Sequence, residues 1–162
     1  MPPVLLAPVT FGDRIDLTAY SQTADEDVIT LAVRWRLPVP AQPDSRLILR
    51  IAIRDEYGNV WVSQETDLLN ENHFYPADWP TDETGVVRYL LELPPGITPA
   101  NYRIDLSVID AQTAGRLPVR VGEEGFQGVV FTAGEIAVSP PEQVVSASRL
   151  QVPHFVETTW LN

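Results

Sequence analysis

Between Val28 and Leu37 every second residue is large and apolar: Ile29, Leu31, Val33, Trp35 and Leu37 alternate with Thr30, Ala32, Arg34 and Arg36. Side chains in an extended chain point to opposite faces in turn, so this stretch predicts a long strand with one face in a core and one toward solvent. The same period recurs in Ile15, Leu17 and Ala19, set against Arg14, Asp16 and Thr18. It recurs in Leu47, Leu49, Ile51 and Ile53, in Val87, Tyr89, Leu91 and Leu93, and in Tyr102, Ile104, Leu106 and Val108. Shorter pieces at residues 4–6, 60–64, 117–119, 129–131 and 135–138 complete the set, the first read as an edge segment because Pro8 cannot donate to a central ladder.

The connections have matching chemistry. Residues 21–27 are polar and acidic and read as a loop. Pro38–Ser45 is too long and stiff for a tight hairpin and suits a crossover between two sheets. Asp55–Asn59 reads as a hairpin turn, with Gly58 placed for positive φ. Residues 65–85 form the longest irregular stretch, and residues 94–101 form a corner whose following Tyr102 can bond back to it, as in a tyrosine corner. No stretch has the period of an amphipathic helix. The expectation is an all-β, immunoglobulin-like two-sheet β-sandwich of about seven to nine strands over residues 1–138. Residues 139–162 lack clean periodicity and read as a C-terminal extension or linker. Thr159-Trp160-Leu161-Asn162 echoes Thr10-Phe11-Gly12-Asp13, as the start of a second copy would; a segment packed on the sandwich is the simpler reading.

Composition narrows the function classes. The 162 residues suffice for one domain with a real core. Without cysteine there is no disulfide, thiolate nucleophile or zinc–thiolate site. The net charge of −11, with arginine as the sole strong base, repels phosphate backbones and anionic membrane surfaces, so no nucleic-acid partner is expected. No apolar run approaches the ~20 residues of a membrane span, so no direct insertion is expected. Residues 1–6 lack the basic region and apolar core of a signal peptide, so any export depends on other parts of a longer protein.

Little in the sequence points to catalysis. No nucleophile elbow, zinc-protease helix or phosphate-binding glycine loop occurs, and a count of 22 acids makes some carboxylate pair at glycosidase spacing inevitable and therefore uninformative. His73 and His154 have no partner spacing for a metal or a general base. Asp25-Glu26-Asp27 and Asp82-Glu83 lack a calcium-loop spacing and read as solvated turns. No catalytic residue, metal or cofactor is expected. Arg34, Arg36, Arg50 and Arg54 fall on outward faces, where Asp16, Asp105 and Glu92 can pair with them. The loop around residues 70–80 carries His73, Phe74, Tyr75, Asp78 and Trp79, a combination of rings and polar groups that can stack on sugar faces and bond their hydroxyls.

Several short motifs occur in a fixed order: Phe11-Gly12-Asp13-Arg14-Ile15, Leu31-x-Val33-x-Trp35, Asp55-x-x-Gly58-x-Val60, Tyr75-Pro76-x-x-Trp79-Pro80, Leu93-Pro94-Pro95-Gly96 before Tyr102-Arg103, Thr113-x-Gly115-Arg116-Leu117-Pro118-Val119, and Gly134-Glu135-Ile136-x-Val138. Over Thr10–Val138 the chain resembles a β-sandwich domain found at the C-terminus of multi-spanning bacterial membrane proteins, themselves similar to glycosyltransferases of the protein-mannosyltransferase superfamily. Residues 81–85 replace the tighter Pro-Gly-Glu turn usual there. The resemblance implies a non-catalytic accessory or interaction domain of a larger protein, on the extracytoplasmic side of the cytoplasmic membrane or at the cell surface. Its partners would be other domains of that protein or a glycan. The alternative is a carbohydrate-binding module that uses the 70–80 loop. Because Tyr75-Pro76-x-x-Trp79-Pro80 belongs to the shared pattern, the two rings are expected to plug one end of the sandwich rather than form a sugar platform.

Overall fold

The computed structural model describes residues 4–140. The 139–162 extension, His154 and the Thr159–Asn162 echo therefore lie almost wholly outside the described residues. Among the described residues there are nine strands: β1 Val4–Phe11, β2 Ile15–Asp25, β3 Val28–Arg36, β4 Leu47–Arg54, β5 Val60–Asp67, β6 Val87–Glu92, β7 Ala100–Asp110, β8 Val119–Val121 and β9 Phe131–Val138. Every ladder is antiparallel. A five-stranded sheet runs β6-β3-β2-β1-β8, and a four-stranded sheet runs β5-β4-β7-β9. The fold is a β-sandwich, as the alternation predicts, and the 38–45 segment does cross from one sheet to the other.

Alternation fixes the inside of each strand. Ile29, Leu31, Val33 and Trp35 of β3 are all fully buried, as are Ile15 and Leu17 of β2. From the other sheet Leu49, Ile51 and Ile53 of β4 and Ile104, Leu106 and Val108 of β7 face them across the core. Trp35 meets Phe11 edge to face at a centroid distance of 6.1 Å, a geometry that contributes ~0.5–1.5 kcal/mol beyond burial. The tyrosine corner is present: the buried Tyr102 donates from its hydroxyl to the Thr98 carbonyl at 2.6 Å. In the hairpin after β4, Gly58 sits at φ 86.

Three of the four outward arginines, Arg36, Arg50 and Arg54, find partners, while Arg34 enters no ion pair and its Nε has no hydrogen-bond partner among the described residues. Arg36 pairs with Asp16 at 2.6 Å and Arg54 with Asp105 at 3.0 Å. Asp16 also accepts from Thr10, and Asp105 from Thr132. Arg50 instead donates to the Ser63 hydroxyl. Glu92 makes no ion pair among the described residues.

Four expectations are corrected. Residues 21–25 are strand, not loop: β2 continues to Asp25, pairs with Val28–Ala32, and turns through Glu26 (φ 49) and Asp27. Their polar side chains hid a ladder that the neighbouring strand supplies. The 4–6 piece does not stop at Pro8: β1 runs on to Phe11, with Pro8 inside the stretch where the β1–β2 register shifts and its carbonyl accepting from Gly122, while β8 pairs only with Val9–Phe11 and leaves residues 4–6 at an edge. The irregular stretch begins later than Glu65, since residues 65–67 finish β5 at the sheet's edge, opposite Arg50, Leu49 and Ile48. Residues 129–131 and 135–138 are not two strands: β9 runs through Phe131–Val138 across a bulge at Gly134, whose φ is 157. This backbone conformation favours glycine, and a Cβ there would also displace the end of the Gln22 side chain from the opposite sheet.

Candidate functional site

The 70–80 loop is organised by Asn70, which is buried. Its side-chain oxygen accepts the backbone N–H groups of Asn72 at 3.0 Å and Phe74 at 2.8 Å, and its carbonyl accepts from the His73 N–H. This Asx turn holds His73 at φ 64 and exposes its side chain. The chain then enters a single 3-10 turn, Pro76–Asp78, with Pro76 buried at its start.

The sequence-predicted residues fall into two groups. Tyr75 and Trp79 are half-buried and anchored within the protein. Tyr75 donates to Asp67 at 3.2 Å and lies under the Arg46 guanidinium, 4.8 Å from its ring centroid. Trp79 packs on the core and donates from its indole N–H to the Phe74 carbonyl at 2.9 Å. Trp79 thus packs inward, while Tyr75 is held at the surface by Asp67 and Arg46. His73, Phe74 and Asp78 project outward, with Phe74 50% exposed. No two rings of Phe74, Tyr75 and Trp79 stack on one another among the described residues.

Beside this loop the crossover forms an apolar concavity of about 260 Å³, walled by Leu37, Val39, Pro40, Leu47 and Pro76. Arg14 reaches its floor, ion-paired with Asp110 and hydrogen-bonded to Ser45. Burial works against ionised Asp110, but the Gln112 N–H, Arg14 and the Thr113 N–H outweigh it and hold the carboxyl below its ordinary range.

A second concavity lies at the far end of β5, on the order of 20 Å away along that strand. It is an open groove of about 530 Å³ lined by Glu56, Ala100, Asn101, Arg103 and Glu135. Three elements build it. Glu56 belongs to the β4–β5 turn, while Arg103 on β7 lies directly opposite Glu135 on β9 in the ladder. Tyr57, 81% exposed, follows Glu56 in the same turn. The Glu56 carboxylate, as hydrogen-bond acceptor and as charge, raises the Tyr57 pKa above its ordinary value. The turn itself is fixed by Asp55, which accepts from the backbone N–H groups of Tyr57 and Asn59, from the Asn59 amide, and from the Trp61 indole at 3.0 Å. Trp61 in turn meets Tyr102 edge to face.

The sequence reading missed Arg14 and the whole groove. One signal was available: a tyrosine at a hairpin tip is exposed by position. The meeting of Arg103 with Glu135 depends on strand order, which the sequence does not display.

Among the described residues no three His, Asp or Glu side chains gather as they would around a metal ion, and no helix is long and apolar enough to cross a membrane. No family model matches the chain, and no curated protein does. Among solved structures, a calcium-binding mutant of Bacteroides uniformis beta-glucuronidase 2 is similar over 70% of this chain at 16% identity, with a TM-score of 0.40. The chain spans 14% of that protein's length. At this level the likeness supports no inference about ligand or activity.

Proposed function

We propose that this β-sandwich is a non-catalytic binding module of a larger extracytoplasmic protein. The observation that carries the reading is the state of its least exposed carboxylates. Asp16 and Asp105 are buried and Asp110 half-buried, and each is bonded to an arginine and to at least one further donor. A carboxylate whose oxygens are engaged by fixed donors is a poor base or nucleophile. These groups tie strands together. The larger extracytoplasmic setting rests on the ordered motifs between Thr10 and Val138. The test is a turnover screen of the purified chain against chromogenic glycosides and esters. No turnover is expected, and Asp16→Asn or Asp105→Asn should lower the melting temperature. Turnover that either substitution abolishes, without a change in melting, would overturn the reading.

Carbohydrate binding at the 70–80 loop is a second reading, favoured by Phe74, whose half-exposed ring stands with Asp78 on an otherwise fixed loop. Here Phe74 would supply the stacking surface, since Trp79 is committed to the core. Loss of glycan binding in Phe74→Ala, with melting unchanged, would support it.

A further inference from the structure

We propose that the groove between the β4–β5 turn and the β7–β9 ladder binds a neutral saccharide chain, with Tyr57 as its stacking surface and Glu56, Asn101, Arg103 and Glu135 as its hydroxyl partners. This deepens the reading of the chain as a binding module and rests on it.

Ion pairs join Arg36 with Asp16, Arg54 with Asp105 and Arg14 with Asp110, whereas Arg50, opposite Glu65 in the β4–β5 ladder, bonds Ser63 instead. In the groove, Arg103 and Glu135 lie opposite each other in the ladder, yet neither enters an ion pair or a side-chain hydrogen bond among the described residues. Asn101 likewise has no side-chain bond among the described residues, and Glu56 enters no ion pair there. Four polar side chains with unspent bonding capacity thus converge on one concavity of about 530 Å³, within the range of ordinary ligand sites.

Their chemistry selects the ligand. Two carboxylates accept, a guanidinium donates in a planar fork, and an amide does both. A sugar hydroxyl also does both, so adjacent hydroxyls on one ring can meet an acceptor and a donor together. The remaining need is an aromatic face for the C–H side of the ring. Tyr57, the residue after Glu56 and 81% exposed, would supply it, on a turn fixed by the four bonds to Asp55 and by the Arg54 bond to the Gly58 carbonyl. Such a rigid mount lowers the ordering cost of binding. A charged saccharide suits the site less: an anionic sugar meets two glutamates, and a cationic one meets Arg103. A polypeptide would want an apolar pocket for a side chain, and the groove walls are predominantly polar.

The test uses an array of neutral gluco-, manno-, xylo- and galacto-oligosaccharides, with an acidic and basic peptide array in parallel. Retained glycans are then titrated against wild type, Tyr57→Ala, Arg103→Ala, Glu135→Gln and Phe74→Ala. All four positions are exposed, so the variants should melt like wild type. The expected result is retention of at least one neutral glycan. Affinity should weaken roughly tenfold or more in Tyr57→Ala, Arg103→Ala and Glu135→Gln, and stay unchanged in Phe74→Ala. No retained glycan, or retention of peptides alone, overturns the proposal. A loss confined to Phe74→Ala also overturns it and moves the site to the 70–80 loop, with the module reading intact. Cleavage of a bound glycan would sink the module reading, while the same variants would still report where the sugar sits.

Discussion

Arg14, in the turn that opens β2 of the five-stranded sheet, is ion-paired with Asp110, the last residue of β7 in the four-stranded sheet. The same guanidinium donates to Ser45 at the end of the crossover. One side chain therefore joins both sheets and the segment that connects them. It does so at the end of the sandwich that also carries the apolar concavity.

Breaking this link should destabilise the fold without unfolding it. Arg14 is 32% exposed in its side chain and Asp110 14%. Solvent screening keeps the expected loss for Arg14→Ala or Asp110→Ala to roughly 1–2 kcal/mol, below that of a fully buried pair. Denaturant melts of both single variants and the double variant should give a coupling energy of about 1 kcal/mol. Additive losses would mean that the two residues act separately.

Two buried residues should respond in opposite ways. Trp35 is fully buried, and Trp35→Ala should cost ~3–5 kcal/mol. Tyr89, 8% exposed, brings its hydroxyl into the same region, where neither that oxygen nor the Trp35 indole nitrogen has a hydrogen-bond partner among the described residues. Burial pushes the Tyr89 pKa up to about 12 despite the nearby Trp35. Removing an unsatisfied hydroxyl while keeping the ring is neutral or favourable, so Tyr89→Phe should be stabilising by up to about 1 kcal/mol. A large loss of stability in Tyr89→Phe would show that the hydroxyl is bonded.

Acid should weaken the β4–β5 turn. The Trp61 indole N–H first, then the Asn59 and Tyr57 donors, hold the Asp55 pKa at about 2 against the ordinary 3.8, despite some opposition from desolvation. The folded pKa is depressed, so the contribution is fully present above the unfolded value and is lost as pH falls through the folded one. In thermal melts, the gap in melting temperature between wild type and Asp55→Ala should be constant above about pH 5. It should narrow between there and about pH 2. A gap that ignores pH would contradict this role for the carboxylate.

Much of the fold was legible because alternation and burial are the same fact seen twice. Ile29, Leu31, Val33 and Trp35 sit on the inner face as their spacing requires, and Tyr102 forms its corner bond because a turn delivers it to the start of a strand. Legibility failed where pairing overrides composition. Residues 21–25 are polar yet extended, because Val28–Ala32 returns beside them. Pro8 lies inside β1 without ending it, because it falls in the register shift between Val4 and Val9, just before the β8 pairing begins at Val9. In the candidate loop, the ring-rich motif was visible. Its division into a fixed Trp79 and an outward Phe74 was set by Asn70 and the core, which no local pattern encodes. The groove was hidden for a similar reason, since Glu56, Asn101, Arg103 and Glu135 come from three stretches joined only by strand order.

The most direct test of the binding-module reading and of its groove is a nuclear magnetic resonance titration of the isotope-labelled chain with a neutral oligosaccharide retained on the array. The expected shifts centre on the backbone amides of Glu56, Tyr57, Asn101, Arg103 and Glu135, with residues 70–79 unmoved and the sugar's own signals intact after prolonged incubation. Shifts centred on residues 73–79, or the appearance of cleaved sugar, would contradict it.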